Sequence, residues 1–440
     1  MASKGLMIAG LASGSGKTMI TLGLLRALAR RGKAPAAGKT GPDYIDSGFL
    51  SAAAGRKAVN LDQIAMSKPL LARLAADQAG DTLIIEGVMG LFDGASGNAG
   101  SSAALAEALD IPVILVMDIR HTAQTAAMIA AGVAGLLPAG RIAGVILNHV
   151  ASPRHLALVS ETLAAYQIPL FGSVPSRDGL AVPSRHLGLV QAADFDNAGV
   201  EQILDHAADL IDEYCDLDAI LDSAKKLPAA DKAVAALPLP FTSPPAMSPP
   251  AKTIAVANDA AFGFAYHHLL AGWQQQGAEI RPFSPLNDEK PADDADFIFL
   301  PGGYPELHLP TLSRNRQFLV GLNKAAMANI PIYGECGGYM VLGTGITDAS
   351  GNRFDMAGLL DVETSFANKK RHLGYRKFTP IEPFFWAGPF LGHEFHYTNV
   401  VSASGTPLFT VHDANDQPLG MAGLRKGSVA GSYLHIITQS

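Results

Sequence analysis

The chain has 440 residues, 48% of them hydrophobic, and a formal net charge of −7 at pH 7. That length exceeds one compact domain and supplies two cores, while the acidic balance lacks the basic excess that nucleic-acid binding needs. The two cysteines, Cys215 and Cys336, leave no room for a disulfide framework and fit a reducing cytoplasm, and no apolar run approaches the ~20 residues of a membrane span.

The first predicted element is a buried strand at Leu6 to Ala9. It runs into GLASGSGKT, Gly10 to Thr18, and then into an apolar-striped helix from Met19 to Arg31 that Gly32 stops. Strand, small-residue loop and helix in this order point to a phosphate loop for ATP, the alternative being a glycine-rich turn with a surface lysine. Gly10, Ser13, Gly14, Ser15 and Gly16 let backbone N–H groups curl round an anion, Lys17 bridges the terminal phosphates, and Thr18 offers its hydroxyl to Mg²⁺. The leading glycine sits one position earlier than in the usual G-x-x-x-x-G-K-[ST] spacing, whose first place is taken by Leu11. KTGPDYID follows a second strand. Its Lys39 either neutralises phosphoryl charge or is a surface lysine; Asp43, with Asp46 as a further candidate, either serves the metal or is a solvated charge or helix cap. A strand over Thr82 to Ile85 ends at Glu86, which is either a second carboxylate placed for Mg²⁺ or a solvated charge or helix cap, with GVMGLFDG after it. Strands at Val113 to Met117 and Ile142 to Leu147 extend what reads as a parallel sheet with covering helices.

The prolines of LPLPFTSPPAMSPPAK, Leu237 to Lys252, mark a linker. The expected division is residues 1–236, a linker at 237–251, and a smaller α/β domain at 252–440. Strands resume at Thr253 to Ala257, Phe297 to Leu300 and Ile332 to Tyr333. IYGECGG then sets Cys336 in Gly-x-Cys-x-Gly at a strand-to-helix turn, the geometry that exposes the nucleophile of G-x-S-x-G hydrolases. Helix-terminal N–H groups are expected to lower the thiol pKa, His435 is the expected base, and the amides of Gly303 and Gly337 are the expected oxyanion donors. The alternative for Cys336 is an inert buried thiol. Cys215, without a glycine frame, reads as structural.

In order along the chain, KTGPDYID, EGVMGLFDG, PSRHLGL at Pro183 to Leu189, AFGFAYHHLL, PGGYPEL, GECGGYM and GHEFHYT resemble the cobyrinate and hydrogenobyrinate a,c-diamide synthases. The resemblance spans essentially the whole chain. It implies an α/β fold in which a dethiobiotin-synthetase-like P-loop parallel-sheet ATPase domain precedes a class I type glutamine amidotransferase domain. The implied reaction is ATP- and glutamine-dependent amidation of the a and c carboxylates of a corrin polycarboxylate in cobalamin biosynthesis, through an acyl phosphate and glutamine-derived ammonia. The resemblance also implies Thr18, Asp43 and Glu86 as the metal shell, Lys17 and Lys39 as phosphate contacts, and Asn148 as an adenine reader, an Asn capping its turn being the alternative.

A polyanionic acceptor should meet basic groups, and the densest stretch holds Lys369, Lys370, Arg371, His372 and Arg376; these, with Tyr44, are the substrate candidates, a solvated loop being the alternative. Arg185 and His186 read as substrate or interface residues. His393 and His396 look at first like a metal pair, but the sequence suggests no third ligand nearby, and the resemblance implies substrate-side or structural residues. Class I glutaminases usually carry Glu two residues after the histidine; here that place is Ile437, so His435 is oriented differently or works in a dyad. Ser47 stands where the family tends to have proline. A homodimer is one expected assembly. Competing readings are a cobyric acid synthase, a vestigial glutaminase domain fed by free ammonia, and a MinD-like ATPase switch, whose loop would put lysine where this chain has Ala12.

Overall fold

A computed structural model describes residues 4–78, 80–176, 197–228 and 247–439. The chain divides into two compact units, Met1–Pro244 and Pro245–Ser440. Arg185, His186 and the rest of PSRHLGL lie outside the described residues, as does the linker stretch 237–246.

The first unit is built on β1 (Lys4–Gly10), β2 (Pro35–Thr40), β3 (Val59–Leu61), β4 (Thr82–Glu86), β5 (Val113–Asp118), β6 (Ile142–Val150) and β7 (Leu170–Pro175). They lie in the order β3-β2-β4-β1-β5-β6-β7, all parallel, with the two-residue β8 (Lys225–Lys226) antiparallel on β1. Helices cover the faces, so central strands are apolar throughout: Leu6, Met7, Ile8 and Ala9 are all fully buried. The chain moves to one side of β1 to form β2 and crosses to the other to form β5. The carboxyl ends of the strands around β1 therefore border a crevice of the kind where open α/β sheets bind ligands. The helix after the loop, Lys17–Arg30, packs on helix Asn197–Tyr214 at Gly23, where a Cβ would run into the Ala207 carbonyl. Arg26 pairs with Asp205 and Arg30 with Asp209, but half-exposed pairs add only about 0–1 kcal/mol each. The buried Leu204, Ala208 and Ile211 make this contact.

The second unit begins inside the expected linker. Met247 is buried and the Ser248 carbonyl accepts the Trp386 indole N–H at 3.0 Å, so these residues are fixed to the unit and do not form a free connector. The strands are β9 (Thr253–Ala257), β10 (Glu279–Phe283), β11 (Phe297–Leu300), β12 (Ile332–Glu335), β13 (Gly345–Thr347), β14 (Arg353–Asp355), β15 (Val362–Ser365), β16 (His372–Pro380), β17 (Phe390–His396), β18 (Asn399–Ala403), β19 (Thr406–Asp413), β20 (Pro418–Lys426), β21 (Val429–Ser432) and β22 (Leu434–Gln439). Ten form a mixed sheet, β10-β9-β11-β12-β21-β20-β19-β16-β17-β22, parallel from β10 to β21 and antiparallel beyond; β14-β13-β15-β18 form a small separate sheet. The basic stretch at 369–376 is thereby divided: Lys369, Lys370 and Arg371 are exposed, whereas His372 to Arg376 open β16.

Candidate functional site

Two clusters of reactive groups stand out, one in each unit. In the first, the loop after β1 curls back on itself: a Cβ on Gly10 would collide with Ser15 Oγ, which explains a glycine there in spite of the shifted spacing. Gly16 sits at φ 90°, a left-handed conformation costly for other residues, and a Cβ there would strike Asn148 Nδ2. Asn148 stands in β6 and braces the loop, its Nδ2 donating to the Ser15 carbonyl at 3.1 Å while its Oδ1 accepts from His149 N–H at 3.0 Å. Ser13 and Gly14 are exposed at the loop's tip, whereas Ser15 and Lys17 are buried at its base.

Beside the loop lies a charge cluster set by strand register. Lys39 on β2 is directly opposite Glu86 on β4. Its Nζ pairs with Asp46 and lies 3.3 Å from Glu86 Oε2, with the side chain only 2% exposed, so Lys39 is no surface lysine. Thr18 Oγ1 donates to Glu86 Oε1 at 2.5 Å, joining the loop to the cluster. Asp43 caps helix Tyr44–Ala54, its Oδ1 accepting from the N–H groups of Ile45 (2.9 Å) and Asp46 (3.1 Å), and Tyr44 opens that helix. Burial pushes the Glu86 carboxyl up to about 7 against the pull of Lys39, and burial with the neighbouring Asp46 pushes Asp43 up to about 6. Burial alone would lower Lys39, but Glu86, Asp46 and Asp43 outweigh it and hold its ammonium above the usual value. Lys17 is held below its usual value by burial. Thr18, Glu86, Asp43 and Asp46 supply hard oxygen donors suited to a divalent cation, and Glu86 Oε2 is buried without a hydrogen bond.

In the second unit Cys336 falls between β12 and helix Gly337–Leu342 with φ 46° and ψ −104°, a strained elbow for a non-glycine residue. Gly302 lies beside both Cys336 and His435: the site of its absent Cβ is crowded by the His435 ring and lies 3.3 Å from Cys336 Cβ. Any side chain at Gly302 would strike the ring and crowd Cys336. The backbones of Gly303 and Gly337 run side by side, Gly303 N being 3.1 Å from where a Gly337 Cβ would stand. Phe264, Gly303, Tyr304, Glu306, Phe395 and Tyr397 help line a pocket that opens on Cys336, whose Sγ lies 3.8 Å from the Phe395 carbonyl.

The expectation of a lowered thiol pKa is corrected here. Burial, with Glu306 next, pushes Cys336 well up, and the single N–H of Gly337 does not offset them. Burial, helped by His393 and His396, likewise holds His435 far below its usual value. Both shifts favour the uncharged forms, a thiol and a neutral imidazole, so moving a proton between them calls for a group that offsets the charge.

Ile437, where an orienting Glu was sought, is fully buried, and its carbonyl bonds to His268 at 2.8 Å. Sequence reading missed a different acid. Glu335, one residue before the nucleophile, places Oε2 3.7 Å from His435 Nδ1, and its Oε1 accepts Ile436 N–H at 3.1 Å. Its one signal in the sequence was an acid adjoining Cys336 in GECGG.

Three other expectations change. Arg376, a substrate candidate, is committed to Glu394, its Nε at 2.9 Å and Nη2 at 2.8 Å from Oε2. His372 stacks on His396, ring centroids 4.6 Å apart, while Lys370 and Arg371 stay exposed. His396 does have further potential ligands after all: the donor atoms of His372, Glu394 and His396 lie within 4.8 Å of one another. His393 is elsewhere, its ring 5.2 Å from that of His435, and Arg376 already supplies Glu394 with a cation. Cys215 is a bridge partner of Gly172 whose thiol burial pushes up to about 12, an unreactive setting.

Comparison with known proteins gives matching family models for both units: a CobQ/CobB/MinD/ParA nucleotide binding domain over residues 6–190 and a CobB/CobQ-like glutamine amidotransferase domain over residues 253–440. Among curated relatives, the hydrogenobyrinate a,c-diamide synthase of Rhizobium meliloti (strain 1021) is 48% identical over 436 residues, 98% of this chain and 99% of that one. Its counterpart from Brucella anthropi is 47% identical over 438 residues, 99% of this chain and 98% of its own. A Sinorhizobium protein of the same name is 48% identical over 98% of both chains.

Proposed function

The chain belongs to the hydrogenobyrinate a,c-diamide synthase family, and from that premise we propose that it amidates the a and c side-chain carboxylates of hydrogenobyrinic or cobyrinic acid, using ATP and glutamine, in cobalamin biosynthesis. It is a glutamine-dependent ligase. The observation that carries this reading is the pairing, on one chain, of a phosphate loop tied to the Lys39–Glu86–Asp46 cluster with a pocket lined by Cys336, whose Cβ and the His435 ring both border Gly302. Identity close to one half along almost the full length supports an a,c-diamide synthase over a cobyric acid synthase or a MinD-like switch.

In the first unit, residues 1–236 by our reading, the loop Gly10 to Thr18 binds the ATP triphosphate. Lys17 and Lys39 neutralise charge as a corrin carboxylate oxygen bonds to the γ-phosphorus and ADP departs. Ammonia then attacks the acyl phosphate, the carbon–oxygen bond to phosphate breaks, and amide and inorganic phosphate result. Asn148 supports the nucleotide site by fixing the loop, and a role in reading adenine fits its place at the carboxyl end of β6. Thr18, Glu86 and Asp43, with Asp46, would hold Mg²⁺, which supplies charge stabilisation for the phosphates when bound.

In the second unit, 252–440 with 247–251 docked on it, Cys336 attacks glutamine with His435 as proton carrier and the amides of Gly303 and Gly337 as oxyanion donors. Glu306 lines the pocket and suits the α-ammonium of glutamine. Tyr44, Lys370, Arg371 and His372 are the proposed corrin contacts. A net charge of −7 favours no nucleic-acid partner, and no helix among the described residues is long and apolar enough to cross a membrane. Free Cys215 and Cys336 suit a cytoplasmic setting; a homodimer is proposed and would show in light scattering.

The test is incubation of the protein with ATP, glutamine and either hydrogenobyrinic acid or cobyrinic acid, followed by mass spectrometry. Two successive carboxylate-to-amide mass changes on one or both acids are expected. A mono-amide end product, or none, counts against the proposal.

A further inference from the structure

We propose that Glu335 is the positioning carboxylate of the glutaminase centre, holding His435 with its Nδ1–H turned to the carboxylate and its Nε2 turned to Cys336. This rests on the assignment of Cys336 and His435 as the glutaminase pair. The position after the histidine that would normally carry this function is filled by the buried, apolar Ile437.

Geometry supplies the substitute. The parallel pairing of β12 with β21 sets Glu335 opposite Ser432, three residues before His435. One carboxylate oxygen is anchored by the Ile436 N–H at 3.1 Å, which fixes the group against the backbone of the histidine's own strand. The other oxygen lies 3.7 Å from His435 Nδ1, longer than a hydrogen bond and close enough for a small side-chain shift to form one. Both side chains are almost fully buried, Glu335 at 3% and His435 at 1% exposure, so no water competes freely for Nδ1. Gly302 packs against the ring and Cys336 Cβ from one side, fixing which way the imidazole can turn.

The chemistry explains why such a group is useful. The Cys336 thiol proton passes to Nε2 as sulfur bonds to the glutamine amide carbon. The imidazolium returns that proton to nitrogen as the carbon–nitrogen bond breaks, so ammonia leaves and a thioester remains. Water then gives a proton to Nε2 and its oxygen to the thioester carbon; the carbon–sulfur bond breaks, glutamate leaves, and the proton returns to sulfur. Each half puts positive charge on a buried imidazole already disfavoured by His393 and His396, and a carboxylate at Nδ1 offsets it. Tyr333, Cys336 and His435 face Glu335 in turn, and burial pushes its carboxyl up to about 8, so the working ionised form is reached on the alkaline side of neutrality.

The test compares wild type with Glu335→Gln and Cys336→Ser. Wild type is expected to show a rise in glutaminase rate through about pH 8, and Glu335→Gln should abolish that rise and lower kcat by about 10²-fold or more with KM changed less than about threefold. Amidation driven by ammonium chloride should stay at the wild-type rate. A kcat within about threefold of wild type, or an unchanged alkaline rise, overturns the role of Glu335 while Cys336→Ser, if inactive with glutamine, leaves the nucleophile in place. Activity in Cys336→Ser would instead overturn the glutaminase assignment itself. A measurement that needs no variant decides the matter if Glu335→Gln does not fold: nitrogen NMR of His435 in wild type above pH 8 should show Nδ1 protonated and Nε2 bare. The opposite tautomer overturns the proposal.

Discussion

Replacing Glu86 by Gln should abolish ATP-dependent amidation and, in the same protein, remove a pH dependence of stability. Glu86 is fully buried and its carboxyl is pushed up to about 7 from an ordinary 4.5. A raised carboxyl binds its proton more readily in the folded than in the unfolded chain. The stability it contributes is therefore fully present below 4.5 and is lost as pH rises through about 7. At 1.36 kcal/mol for each unit of difference, the swing is on the order of 3 kcal/mol. Glutamine keeps the shape, cannot titrate, and leaves Lys39 paired with Asp46. In metal-free, nucleotide-free buffer the Tm of the variant relative to wild type should therefore rise by roughly 5–10 °C from about pH 5 to about pH 8. The assay is a calorimetric or fluorescence melt across that range, alongside amidation and glutaminase rates. A Tm difference that does not move with pH would refute the buried titration, and undiminished amidation would remove Glu86 from the ATP site; glutaminase activity should persist in either case.

Cys336→Ser should eliminate turnover with glutamine and leave turnover with ammonium salts, and retained glutamine use in a steady-state assay would refute the nucleophile. Gly16→Ala should raise the KM for ATP at least tenfold, because it adds about 1–2 kcal/mol of left-handed strain and a clash with Asn148; an unchanged KM would contradict the loop geometry. Lys370→Ala with Arg371→Ala should raise the KM for the corrin acid and leave that for ATP alone, equal effects on both counting against a corrin site there. Adding Mg²⁺ and ATP near pH 6.5 should release protons from Glu86 and Asp43, read as a buffer-dependent heat by calorimetry, whereas none should be released near pH 8.5.

Local patterns made the phosphate loop and the nucleophile elbow legible in the sequence. Strand, glycine loop and helix are consecutive in each, so their residue types announce them. Lys39 was ambiguous because its partner Glu86 lies on β4, and only the β2–β4 register brings the two side by side. Glu335 was passed over for the same reason: its link to His435 crosses about a hundred residues and depends on β12 meeting β21. The surroundings of Arg376 and His372 were hidden in another way. Basic residues near one another in sequence look like one patch, but on β16 Arg376 pairs with Glu394 and His372 stacks on His396 of β17, while Lys370 and Arg371 are exposed ahead of the strand. Helix-dipole reasoning failed at Cys336 because the helix after it has six residues and burial outweighs one N–H.

The central claim is that one chain takes nitrogen from glutamine at Cys336 and fixes it to a carboxylate at the expense of ATP. Isotope-labelled amide nitrogen in glutamine, followed into the corrin product by mass spectrometry with ADP counted in parallel, tests both halves together. Two labelled nitrogens per corrin and one ADP per nitrogen are predicted for wild type. Labelled product formed without ATP, or ATP-dependent product that stays unlabelled, would contradict it.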